Sequence, residues 1–274
     1  MKPVNKLWLV VLTLALITAA CGGGTSATTA TPETPDTTGA ATGGLPDLGG
    51  QSITVAVENA YPPFNFIDEA TGQPAGWDYD AINEICSRIN CTPEFVEVAW
   101  DGMIIAVSQG QYDMAADGIT ITDEREEQVD FSQGYVHVDQ RLLARIDEDR
   151  FANTDEFAEG DYLVATQLGT TNFATAVAVY GEDRVQGFEQ FGFAVQAVIN
   201  GDADAVIIDS TAGQGYEGEN AEAVKMIEGS LVSDELGFIF PPDSELVAAF
   251  DAALDSMRED GTLESINNTW WPAQ

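Results

Sequence analysis

Apolar and polar positions along this chain alternate in short runs, then fall into helical spacing, and the two patterns take turns. Ser52 to Glu58 (SITVAVE) alternates with a period of two, which predicts a strand, and the turn-rich AYPPFNF follows it. Ala81 to Ile89 sets Ile82, Ile85 and Ile89 on one stripe and predicts an amphipathic helix. EFVEVAW predicts a strand, Met103 to Val107 opens a helix, and DMAADG closes a short strand. Further on, DYLVATQLG, RVQGFEQF and DADAVIID predict strands, interleaved with helices over TNFATAVAVY and around VQAVING. The last part predicts helices across ELVAAFDAALDSMRED and TLESINNTWW. Such alternation points to an α/β fold built on parallel sheets. Ligands in these sheets sit beyond the C-terminal ends of strands. Glu58, Trp100, Asp117 to Thr120, Gly169 to Asn172 and Asp209 all fall at strand-to-helix junctions.

The first fifty residues break the pattern. Lys2 and Lys6 precede an apolar run from Leu7 to Ala20 that ends in the small pair Ala19-Ala20, the three parts of an export signal. That run is shorter than the roughly 20 residues a permanent bilayer span needs, so residues 1–20 read as a cleaved signal peptide. Residues 21–50 are mostly Gly, Thr, Ala and Pro. They carry too little apolar surface to offset chain entropy and read as a disordered linker.

Charge narrows the choices. With 10 basic against 46 acidic residues the formal charge is −36, and Lys225 is the only lysine beyond Lys6. A nucleic-acid partner is excluded on that ground, because neutralising phosphates needs a basic face. Of three cysteines, Cys21 belongs to the leader, leaving Cys86 and Cys91 as a pair in an oxidising compartment. Five residues across a helix end bring two Cα atoms within bonding reach, so a local disulfide is expected. A metal site would need more ligands than one pair and the distant His137 supply, so no metal is expected.

From Gln51 onward the pieces YPPFNF, GWDYDAINEI, VEVAWDGMI, DGITITDEREEQVDFS, QLGTTNFA, DADAVIID and DGTLESINNTWW occur in one order. In that order they resemble the polar amino-acid class of periplasmic solute-binding proteins, the capture subunits of ABC importers. The Thr18-Ala19-Ala20-Cys21 junction likewise resembles a bacterial lipobox, which would acylate Cys21 and hold the chain at the outer face of a membrane. Ordinary secretion is the alternative. The resemblance implies a two-lobe α/β fold of the periplasmic-binding-protein type 2 class. Each lobe is then a mixed sheet flanked by helices, and two hinge strands join them. By position, lobe 1 is 51–136 plus 235–274 and lobe 2 is 137–234.

The resemblance also implies roles. Arg125 matches the carboxylate-binding arginine, whose planar fork suits two parallel hydrogen bonds. Backbone N–H groups of Gly118, Thr120 and Thr171 match the rest of that anion site, and Asp209 matches the acceptor of the ligand's ammonium. Tyr61 and Trp100 match a pair of rings around the ligand side chain, while Phe64 reads as structural. Glu58 and Asp117 stand where the far end of that side chain is read, and two carboxylates beside two rings suit a cation. Other readings remain open on the residues alone: a surface ion pair for Arg125 with Asp123 or Glu126, a helix N-cap for Asp209, and a core position for Tyr61.

The expected function is therefore an amino-acid binder with no catalytic residue and no cofactor. Its ligand would be arginine or lysine, with glutamine as the neutral alternative, and its partner a membrane permease. The binder is read as a monomer. An enzyme of the cyclohexadienyl dehydratase kind is the alternative from another class, with little support because no histidine falls in the matching pieces.

Overall fold

The structure is a computed structural model, described here for residues 44–271. The expected signal peptide and Cys21 lie outside the described residues. Thirteen strands and nine α-helices are found among those described. In chain order they are β1 (Gln51–Val57), β2 (Ala60–Tyr61), β3 (Asn65–Asp68), β4 (Gln73–Ala75), α1 (Trp77–Ile89), β5 (Cys91–Glu97), α2 (Met103–Ser108), β6 (Met114–Thr120), α3 (Asp123–Glu126), β7 (Asp130–Phe131) and β8 (Val136–Arg145). There follow α4 (Thr154–Glu159), β9 (Val164–Gln167), α5 (Thr171–Tyr180), β10 (Val185–Phe188), α6 (Phe191–Asn200), β11 (Ala205–Asp209), α7 (Ser210–Glu219), β12 (Val224–Met226), β13 (Val232–Phe240), α8 (Leu246–Glu259) and α9 (Thr262–Trp270).

One ten-stranded sheet runs β10-β9-β11-β8-β13-β6-β1-β5, with β12 beside β8 and β7 beside β13. β5-β1-β6 pair in parallel at one end, and so do β10-β9-β11 at the other. Between these groups, β8 and β13 pair antiparallel with each other, with Val232 opposite Gln140 and Leu236 opposite Val136. β8 also runs antiparallel to β11, and β13 to β6. The sheet is thus mixed rather than parallel throughout. Strands β6 and β11 are buried along their whole length, as expected of strands covered on both faces. A separate three-stranded sheet, β2-β3-β4, sits beside them.

Helix α1 shows how sequence sets position. Its buried stripe, Trp77, Ala81, Ile82, Ile85 and Ile89, packs into a core shared with Phe238, Phe250 and Leu254. Asp78 and Asp80 occupy the first turn, where the positive helix end favours acids. Asn90 ends the helix in the left-handed conformation, φ 55°. That turn brings Cys86 and Cys91 together, bonded with Cα atoms 4.5 Å apart.

Several expectations shift. The strand expected over EFVEVAW begins earlier, at Cys91, and ends at Glu97, leaving Trp100 in a loop. Its start runs through Pro93, which this strand tolerates because β5 is an edge of the sheet. The segment read as linker is built into the fold from about residue 45. Leu45 and Leu48 pack against the core, and the Leu48 and Gly50 N–H groups donate to Ile89 O and Asn90 O at 2.8 Å each. Two leucines in a Gly-rich run suffice to dock its end. No helix among the described residues is long and apolar enough to cross a membrane.

Candidate ligand-binding site

The C-terminal ends of β1 and β6 face those of β9 and β11 across one cavity of about 310 Å³ of empty space. Glu58 follows β1, Asp117 to Thr120 end β6, Gln167 ends β9 and Asp209 ends β11. Each residue to which the resemblance assigns a ligand contact lines this cavity: Glu58, Tyr61, Trp100, Asp117, Gly118, Thr120, Arg125, Thr171 and Asp209. Gln167, Thr170, Asn172 and Phe191 line it as well.

Arg125 is carried by the short helix α3, capped by the Thr122 side chain, which accepts from the Arg125 N–H. Its side chain turns inward and is only 8 % exposed. Nη1 donates to Thr120 O at 2.8 Å, and the guanidinium lies 5.4 Å from the centre of the Trp100 ring. None of the ion pairs among the described residues involves it, so the surface pairing with Asp123 or Glu126 is not formed. A buried guanidinium is costly unless an anion joins it. Burial pulls its pKa below the ordinary value, and Asp209 and Asp234 act against that.

Asp209 precedes α7 but does not cap it through its side chain. Instead Tyr61 donates its hydroxyl to Oδ2 at 2.8 Å and Asn172 Nδ2 donates to Oδ1 at 3.0 Å. Burial raises its pKa to about 7. Asn172 Oδ1 is buried beside it without a partner, an acceptor left open for a donor that enters the cavity. The Thr120 and Thr171 hydroxyls meet across the cavity at 3.2 Å.

The rings are arranged differently from a simple pair. Tyr61 stacks between Phe64 and Phe191, with centroids at 5.5 and 5.2 Å, while Trp100 lies against Arg125. Tyr61 is at once core and cavity wall, and Phe64 is fully buried behind it.

At the other acidic position, Glu58 accepts from Gln167 Nε2 at 2.9 Å, and its own N–H donates to Asp117 Oδ1 at 3.2 Å. Burial raises both carboxyls, Asp117 to about 6 and Glu58, with Asp117 beside it, to about 8. The cavity therefore holds three carboxyls, Glu58, Asp117 and Asp209, against one guanidinium.

Thr170 and Asn172 fall in the junction Gly169 to Asn172 that the sequence marked, though no role was assigned to them; Gln167 and Phe191 were missed. Gln167 ends a strand just as Asp209 does, a signal that was available. Phe191 reaches the cavity only through the fold.

A cleft of this kind, at the facing strand ends of two parallel groups joined by two antiparallel crossing strands, defines a type 2 periplasmic-binding-protein fold. The chain belongs to the bacterial extracellular solute-binding proteins, family 3, which matches residues 53–273. It is similar to a probable histidine-binding protein of Campylobacter jejuni, 29% identical over 219 residues, spanning 78% of this chain and 84% of that one. Among solved structures it resembles the arginine-, lysine-, histidine-binding protein ArtJ of Geobacillus stearothermophilus at a TM-score of 0.75. The two are 27% identical, covering 82% of this chain and 96% of that one. An ancestral arginine-binding protein bound to glutamine also matches at a TM-score of 0.75, with 30% identity over 81% of this chain and 98% of its own. The chain is an extracytoplasmic solute-binding protein and not an enzyme.

Proposed function

We propose that this protein captures a cationic amino acid, arginine or lysine, and delivers it to an ABC permease. The observation that carries the reading is the charge count in the cavity. Pairing the ligand's carboxylate with Arg125 and its ammonium with Asp209 leaves Glu58 and Asp117 over, and a buried acid pair is best matched by a cation. On this reading the backbone at Gly118, Thr120 and Thr171 completes the carboxylate site, Asn172 Oδ1 takes a second ammonium hydrogen, and Tyr61 and Trp100 wall the side chain. Lobe 1 is 51–136 with 235–274, lobe 2 is 137–234, and β8 and β13 flex between them. Ligand closes the cleft by binding the closed form more tightly. A lipid on Cys21, with the linker behind it, holds the trap near its permease.

Isothermal titration of the folded domain with arginine, lysine, histidine, glutamine and glutamate tests this. Arginine or lysine is expected to bind tightest, at a Kd of about 1 μM, roughly −8 kcal/mol. The ancestral relative bound to glutamine makes that amino acid the competitor to watch. A preference for glutamate sinks the charge argument.

A further inference from the structure

Asn65, the first residue of β3, lies outside the cavity lining and is completely buried. Its amide has one possible orientation. Oδ1 accepts the Asn59 N–H at 2.7 Å, so the NH₂ must point the other way. There Nδ2 donates to Asp78 Oδ2 and to Asp117 Oδ1, each at 2.8 Å. Both of its strong donor hydrogens are thus spent on carboxylates.

The anchor of this arrangement is itself held. Asn59 sits in the left-handed region, φ 59°, and its side chain accepts from the Tyr79 hydroxyl at 2.7 Å and donates to Glu97 at 3.1 Å. Asp117 Oδ1 receives a second hydrogen bond, from the Glu58 N–H. Asp117 Oδ2 receives none from the described residues, and Asp117 lines the cavity. One oxygen is tied down and the other is left for whatever enters.

We propose that Asn65 is a positioning residue that sets the preference for a cationic end group, by fixing Asp117 with one oxygen bound and the other presented to the ligand. This rests on the cationic reading of the site and adds the part that makes it selective. Without the Asn65 donor, Asp117 would be a buried acid free to rotate or to take up a proton. Asp78, the other acid on this amide, is fully buried and outside the cavity lining, so it does not meet the ligand. Asn65 pairs with Tyr61 in the β2-β3 ladder, so the same short hairpin carries the ring over Asp209 and the amide behind Asp117.

The test compares arginine with citrulline, its uncharged analogue of nearly the same shape, by titration calorimetry at pH 7.5. The unsubstituted protein is expected to favour arginine. Asn65→Leu should cut the arginine-to-citrulline affinity ratio by roughly tenfold or more, the scale of a hydrogen bond to a charged group, and leave citrulline binding within about threefold. Asn65→Ser, smaller and too short to reach both acids, should do the same and covers the case in which the leucine variant does not fold. In an Asp117→Asn background neither substitution should change the ratio further. An unchanged ratio, or an equal loss for both ligands, overturns the positioning role while leaving the cationic reading intact. If the unsubstituted protein shows no preference for arginine over citrulline, both readings fall.

Discussion

Replacing Arg125 with methionine separates function from folding. The guanidinium is buried with no ion-pair partner among the described residues, held by one hydrogen bond to Thr120 O and by contact with Trp100. Removing it forfeits those contacts, about 1.5–3 kcal/mol for the first and 0.5–2 for the second. It also relieves a buried charge, and exchanging such charges for apolar groups of like volume is often neutral or favourable by about 1–4 kcal/mol. Set against each other, these leave the ligand-free stability between about 5 kcal/mol lower and about 2 kcal/mol higher. Binding loses a two-bond charged clamp, about 3 kcal/mol or more, which is at least about a hundredfold in Kd. The assay is thermal melting with arginine at about one hundred times the parent Kd. The parent should gain about 2.7 kcal/mol, or roughly 5–10 °C for a domain of this size, and the variant about 0.4 kcal/mol, or 1–2 °C. A retained ligand shift would refute the anion-clasp role. A ligand-free variant weakened by more than about 5 kcal/mol would show instead that Arg125 is structural.

Three further outcomes follow from the same geometry. Glu58, Asp209 and Asp117 have folded pKa values raised to about 8, 7 and 6. Their contribution to stability is therefore full below about pH 4 and lost as pH rises through about 6 to 8. Ligand-free melting should fall between pH 5.5 and 8.5, Glu58→Gln should flatten that slope, and arginine should bind more tightly as the pair ionises. Gly118→Ala should weaken binding about tenfold or more. Its φ is +57° and the new Cβ would lie 2.7 Å from Tyr61 Cε1, in a ring that Phe64 and Phe191 prevent from retreating. Replacing Cys86 and Cys91 with alanine should cost about 2 kcal/mol, the entropy of a short loop, seen as a melting point lower by roughly 4–8 °C. Ligand affinity should stay unchanged, because the bridge joins the end of α1 to β5, away from the cavity; a lost affinity would place the bridge in the binding mechanism.

How far the sequence spoke depended on the range of the interaction. Where a local period settles the matter it was legible: TNFATAVAVY is α5 residue for residue, and ELVAAFDAALDSMRED holds α8. Positions at strand ends were legible too, because the chain's own alternation marks them. What local pattern could not carry was pairing across long separations. Nothing near Val136 or Val232 announces that β8 and β13 will lie side by side and turn a parallel arrangement into a mixed one. Helix α7 hides in STAGQGYEGE, whose glycines argue against a helix until Tyr216 and Ala212 find the core. Asn65 reads as an ordinary turn residue, and only the fold brings Asp78 and Asp117 to it.

The edge strand β5 has a consequence for behaviour among other copies of itself. A sheet rim is a row of unmatched N–H and C=O groups, a template on which another chain can grow. Along β5, Pro93 removes one of those donors and Glu94 and Glu97 face water. The opposite rim, β10, is four residues long and contains Gly187. Neither rim offers a long, flat, uncharged surface, so a protein with so extended a sheet is guarded at both ends against strand-to-strand aggregation.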